Sequence, residues 1–229
     1  MNTITSQKSL SQPIIPSHSH IDYPESTSYL SSVKKVQYVY TRKSPEFVGN
    51  TIYSLEQMRQ MEPPYSDIYA KEIQKYVGRE WHPEIEIIPL SCQWKDVISL
   101  ISLHPHFIAE AFNSIGVPQR EWEFFQIPIE LLDEDKLAYW NFPPATSNLK
   151  ELTRYALNTY SPITHENYTE LFELPQATKT HILQKFNPAN PIAKIQTFVG
   201  VPHVFYKGEI NINDSRICVI NWNDLPLNL

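Results

Sequence analysis

Glycine is nearly missing from this sequence: its 229 residues include five. The nearest two, Gly200 and Gly208, stand eight positions apart, so neither a GxGxxG turn nor a P-loop can be assembled. Loops that cradle phosphate on backbone N–H groups need glycine for close approach. Dinucleotide-binding and P-loop chemistry are therefore not expected, nor is the GxSxG nucleophile elbow. Cysteine is equally scarce. Cys92 and Cys218 are too few for a disulfide framework. No apolar run approaches the roughly 20 residues that span a bilayer. The N-terminus is polar and lacks the apolar segment of a signal peptide. These absences read together as a soluble, cytoplasmic protein with reduced thiols, without membrane association and without a recognisable cofactor.

Large rings and proline are abundant, with 13 tyrosines, 10 phenylalanines and 19 prolines. Hydrophobic residues make up 41% and charged residues 19%, which fits a folded domain with an aromatic core. Net charge is −6, which disfavours a nucleic-acid partner. The charge is uneven. Residues 34–79 hold 8 basic and 5 acidic side chains; residues 80–140 hold 3 basic and 11 acidic, a net of −8. Such a block is either a solvated face or a surface for a basic protein partner.

Residues 1–32 are rich in Ser, Thr, Gln and Pro without periodicity, and read as a disordered polar tail. Residues 33–229 read as one globular domain. The alternation of Val36, Tyr38 and Tyr40 suggests a half-buried strand. Tyr69, Ile73, Tyr76 and Val77 form one helical stripe over 66–77, with Gly78 as its left-handed terminator. Pro105 opens a second helix through Ile115. WEFFQIPIELL and KLAYWNF read as strands joined by the acidic loop 133–135. Asn148 and Glu151 resemble a capping box, Thr164 suits the cap of a helix through Leu174, and Pro175 opens another. Strands and helices cluster rather than alternate. The expectation is an α+β fold with a mainly antiparallel sheet, helices packed on one face and a C-terminal β-meander.

The segment Val201–Trp222 carries the meander. A Lys207–Gly208 turn would pair Phe205 with Ile210 and His203 with Ile212. One face would then hold His203, Phe205, Ile210, Ile212, Ile217 and Val219. Cys218 would lie on the other, out of reach of His203. His203 reads as a core-edge histidine bonded to a backbone carbonyl, or as a general base in a pocket. GREWH, 78–82, places Arg79, Glu80 and His82 past a helix end, where Arg79 serves the helix dipole or clamps an anion. Cys92 has no local histidine to activate it and reads as structural. His104 flanks Pro105 as an N-cap candidate. The HxH pair His18 and His20 is too sparse for a metal site.

Two functional classes follow. The first is a non-catalytic protein-binding module with an acidic, aromatic-rich surface. The second is a small enzyme of unfamiliar type whose pocket gathers His203, Arg79, Glu80 and Tyr206. A weaker third is a toxin–antitoxin or effector–immunity component. Convergence of His203, Arg79 and Glu80 on one concavity would favour the enzyme.

Overall fold

A computed structural model describes residues 35–117, 121–141, 160–186 and 197–226. The chain divides between Lys35 and Val36, and the elements below belong to the second unit. The expectations for the tail, for His18 and His20, and for the Asn148 capping box lie outside the described residues.

The first strand, β1 (Tyr38–Arg42), is followed by the short β2 (Thr51–Ile52) and a helical pair, α1 (Leu55–Gln60) and α2 (Tyr65–Ile73). Two short strands, β3 (Glu86–Ile87) and β4 (Cys92–Gln93), precede β5 (Ile98–Ile101) and α3 (Pro105–Ser114). Then come β6 (Glu123–Pro128), β7 (Leu137–Trp140), β8 (Tyr160–Pro162) and α4 (Gln176–Lys185). The last elements are β9 (His203–Tyr206), β10 (Ile210–Asn211) and β11 (Cys218–Asn221). Seven of these strands form one antiparallel sheet in the order β11-β6-β1-β5-β9-β7-β8. The α+β class with a mainly antiparallel sheet is thus realised. Among the described residues no helix is long and apolar enough to cross a membrane.

The sheet separates apolar layers. Val39, Leu100, Phe125, Leu137 and Val204 pack on one face. Their chain neighbours Tyr40, Ile101 and Phe124 point the other way, against Ile108 and Phe112 of α3 and Ile182 of α4. Farther along that opposite face, Ala138, Trp140 and Phe205 pack on Trp94. Side-chain alternation with both faces covered explains why Val39 and Tyr40 are both fully buried, not half-buried as the alternating pattern suggests.

Two expectations are corrected, the C-terminal meander and the helix over 164–174. The C-terminal strands do not form a meander: β9 pairs with β5 and β7, β10 with β2, and β11 with β6. Phe205 and Ile210 therefore lie in different cores. A buried central strand needs backbone partners on both edges, and a local hairpin satisfies only one. Likewise β6 and β7 are not neighbours, because β11 and β1 flank β6. The 164–174 segment is not a helix. Thr164 and Asn167 close one turn through reciprocal side-chain bonds of 3.3 and 2.8 Å. The chain then runs extended, and Leu171 forms a parallel bridge with Leu103.

A buried polar staple fastens that extended run to β1. Glu170, 4% exposed, accepts the hydroxyl hydrogen of Tyr40 and the Tyr38 N–H at 3.0 Å. The Tyr168 hydroxyl donates to the Tyr38 carbonyl at 2.6 Å. Gln37 donates to the Tyr168 carbonyl and accepts from the Glu170 N–H, each at 2.9 Å. Burial first, then the Glu170 carboxylate, raises the Tyr40 pKa, so the phenol stays a donor. Hydrogen bonds to charged groups stabilise more than neutral ones, by about 1.5–3 kcal/mol. Tyr40→Phe is therefore expected to lower unfolding free energy by about 2 kcal/mol in urea titration; a loss under about 0.5 kcal/mol would contradict the staple.

Candidate functional site

His203 ends the apolar row of β9. It is 7% exposed, and its Nδ1 lies 2.8 Å from the Val201 carbonyl. A carbonyl only accepts, so Nδ1 carries the hydrogen and Nε2 is the basic nitrogen. Its ring lies 6.3 Å from Trp94, 6.2 Å from Trp140 and 6.1 Å from Phe205. The histidine that joins it is His82, whose ring sits edge-on to Trp94 at 4.5 Å.

The other candidates are elsewhere. Arg79 donates to the Lys75 carbonyl from Nε at 3.3 Å and Nη2 at 3.0 Å, and lies over the Tyr76 ring at 5.4 Å. Glu80 is exposed and accepts the Gly78 N–H at 2.8 Å. Both thus finish the α2 end, where Gly78 adopts φ +81° as expected of a left-handed terminator. Tyr206 packs in the core on the face opposite His203. Cys218 shares the side of Tyr40 but is four strands from β9, roughly 19 Å at ordinary strand spacing. Cys218 and His203 are thus separated by strand order rather than by facing opposite ways. Cys92 is buried, and burial pushes its thiol up to about 11. His104 caps α3, its Nδ1 accepting the His106 N–H at 3.2 Å. Among the described residues no group of three or more His, Cys, Asp or Glu side chains is placed to hold a metal.

Acid pairing disperses the charge of the middle segment. Glu84 pairs with Lys95, Glu123 with Lys43, Glu130 with Arg216 and Asp133 with Lys136, at 2.8–3.2 Å. Two of the four bases, Lys43 and Arg216, come from outside the 80–140 segment. Part of the block is thereby matched by bases distant in sequence.

A concavity lies away from these residues, under α1 and α2. Neither helix contains a fully buried residue. The stripe Tyr69, Ile73 and Tyr76 is only half-buried, and Val77 is 69% exposed. Between the helices and the ends of β1 and β5 opens a pocket of about 400 Å³. Leu55 and Met58 of α1, Tyr65 and Ile68 of α2, and Ile98 of β5 supply apolar wall, with Trp94 at its boundary with the sheet. Its rings pack edge to face: Tyr53 on Tyr65 at 5.3 Å and Phe47 on Phe125 at 5.0 Å. The Trp94 indole N–H donates to the Tyr76 hydroxyl at 3.1 Å and fixes the end of α2. Gly49, at φ +74°, lets the 43–50 loop close on Tyr65, whose hydroxyl would lie 2.6 Å from an added Cβ. A second hollow of about 470 Å³ lies between α3 and α4, lined by Phe107, Ile115 and Leu183 among others.

Trp94 therefore joins two environments: the pocket and the two-histidine cluster. The His82 pKa is held down to about 4, by burial first, then by Arg79 and His203. Burial also lowers His203 to about 4, against the opposing pull of the Val201 carbonyl. Both are neutral at pH 7. A depressed folded-state pKa means the unfolded chain binds protons more readily between about 4 and 6.5. Stability is then full above pH 6.5 and falls as pH drops toward 4, by up to roughly 3 kcal/mol per histidine. Urea midpoints measured from pH 7 to 4.5 are expected to decline in the parent, and to decline less steeply in His203→Phe. Equal slopes would contradict the assignment.

No protein-family model matches the chain, and comparison with curated proteins and with solved structures finds no match either.

Proposed function

We propose that this chain is a non-catalytic binding protein whose ligand occupies the pocket beneath α1 and α2. The observation that carries the reading is the pocket itself. Ligand sites are concave, mainly apolar and supplied with a few polar groups, in the range of about 300–1,000 Å³. This one has about 400 Å³, aromatic and aliphatic walls, and the hydroxyls of Thr41, Ser44 and Ser99. Its described lining contains neither histidine nor cysteine, the residue types that most often supply a base or a strong nucleophile.

The non-catalytic part of the sequence expectation is kept, while the ligand changes from a protein on the acidic surface to a small molecule in this cavity. Four of the eleven acids on the 80–140 segment are held in ion pairs, two of them with bases from outside it. The enzyme reading loses support on geometric grounds. Arg79 and Glu80 are committed to the α2 end, while His203 points into packed rings. Lying behind the wall formed by Trp94, His203 and His82 support the pocket rather than line it.

The test uses an uncharged dye, N-phenyl-1-naphthylamine, whose emission rises in apolar surroundings. One saturable site is expected. Filling the cavity with Ile68→Trp or Met58→Trp is expected to weaken binding at least about tenfold, equivalent to ~1.4 kcal/mol, with the circular dichroism spectrum unchanged. Absence of saturable binding, or binding untouched by both substitutions, would overturn the reading.

A further inference from the structure

We infer that the pocket selects an uncharged, ring-bearing small molecule. This inference rests on the pocket reading above and adds the chemical class of its ligand.

The argument starts from the charges in the wall. Four charged side chains line the pocket: Arg42, Glu46, Glu72 and Lys75. Each is already engaged. Glu46 pairs with Lys71 of α2 at 3.0 Å, so one ion pair links the 43–50 loop to α2. Glu72 pairs with Lys75 one helical turn away. The Arg42 guanidinium lies 4.3 Å from the centre of the Trp122 ring. A charged ligand would shed water and meet two acids already matched by lysines and one guanidinium held over an indole, and unmatched desolvated charge is costly. An uncharged ligand loses nothing by this arrangement.

Ring chemistry follows from the walls. Two edge-to-face pairs and the Trp94 indole bound the space with flat, polarised surfaces. Such surfaces pack rings by offset stacking or edge contact, which adds to simple area burial. Thr41, Ser44 and Ser99 offer neutral hydrogen-bonding partners, so a hydroxyl or carbonyl on the ring would be accommodated. Aromatic walls with acidic neighbours also suit a quaternary ammonium ion. Pairing of Glu46 and Glu72 to lysines removes the net negative charge that would favour one.

A matched series of probes tests the class. N-phenyl-1-naphthylamine is uncharged; anilinonaphthalene sulfonate keeps its rings and adds an anion; a trimethylammonium-substituted naphthylamine adds a cation. The uncharged dye is expected to bind at least about tenfold more tightly than either ion at low salt. In competition, 1-naphthol is expected to displace it more effectively than 1-decanol, which has the same number of carbons in a chain. Lys71→Met, at an exposed position, leaves Glu46 unmatched. It should raise affinity for the cationic probe by up to about fivefold and leave the uncharged dye within about twofold. Tighter binding of either ion, equal displacement by decanol, or no response of the cationic probe to Lys71→Met would overturn the inference. Failure of all three dyes to saturate would instead overturn the pocket reading on which it rests.

Discussion

The indole of Trp94 is the contact on which the rest of this structure turns. One side of it meets Phe205 at 4.8 Å and Trp140 at 5.8 Å, both rooted in the central sheet. Another meets His82, and its N–H reaches Tyr76 at the end of α2. It also forms part of the pocket wall. A tryptophan can do this because its large apolar body packs while its single polar edge needs just one acceptor. The sheet, the irregular stretch after α2 and the pocket thus share one rigid element. The two neutral histidines belong to the same arrangement. Protonating either would place charge against packed rings, which is why burial holds both near pH 4.

Two-sided burial of the sheet explains the layout around that contact. Strand β9 is buried at all four residues and is held between β5 and β7. One face is covered in part by α3 and α4, which fill their layer with Ile108, Phe112 and Ile182. By contrast α1 and α2 are short, at six and nine residues, and bury none of their side chains fully. A hollow therefore remains where these helices span the ends of β1 and β5. The close approach of Gly49 to Tyr65 holds its rim.

Local features of the chain were legible before any coordinates. The periodicity of 105–115 and the proline at its start mark α3 almost to the residue. Gly78 marks the end of the α2 region through its backbone freedom. His203 bonded to a backbone carbonyl was one of its two sequence readings, and that is what its ring does. Strand pairing was not legible, because β9, β10 and β11 choose partners more than 60 residues away in sequence, and no turn residue encodes that choice. The staple at Glu170 was hidden for the same reason: its partners Tyr38 and Tyr40 lie 132 and 130 positions upstream. The pocket was hidden for a different one. Apolar residues at helical spacing look alike whether they meet a core or border a cavity, so the α2 stripe does not distinguish the two. His82 and Trp94 stand among charged residues and beside a thiol in the sequence, and the rings that pack on Trp94 come from strands distant along the chain.

Hydrogen–deuterium exchange of the described region, with and without N-phenyl-1-naphthylamine at saturating concentration, tests the central claim most directly. The account predicts slowed exchange confined to residues 41–58, 65–76 and 94–99, the segments that wall the cavity beneath α1 and α2. Protection appearing instead at 107–115 and 174–183 would place the ligand between α3 and α4. That result, or uniform exchange in the presence of a bound dye, would contradict it.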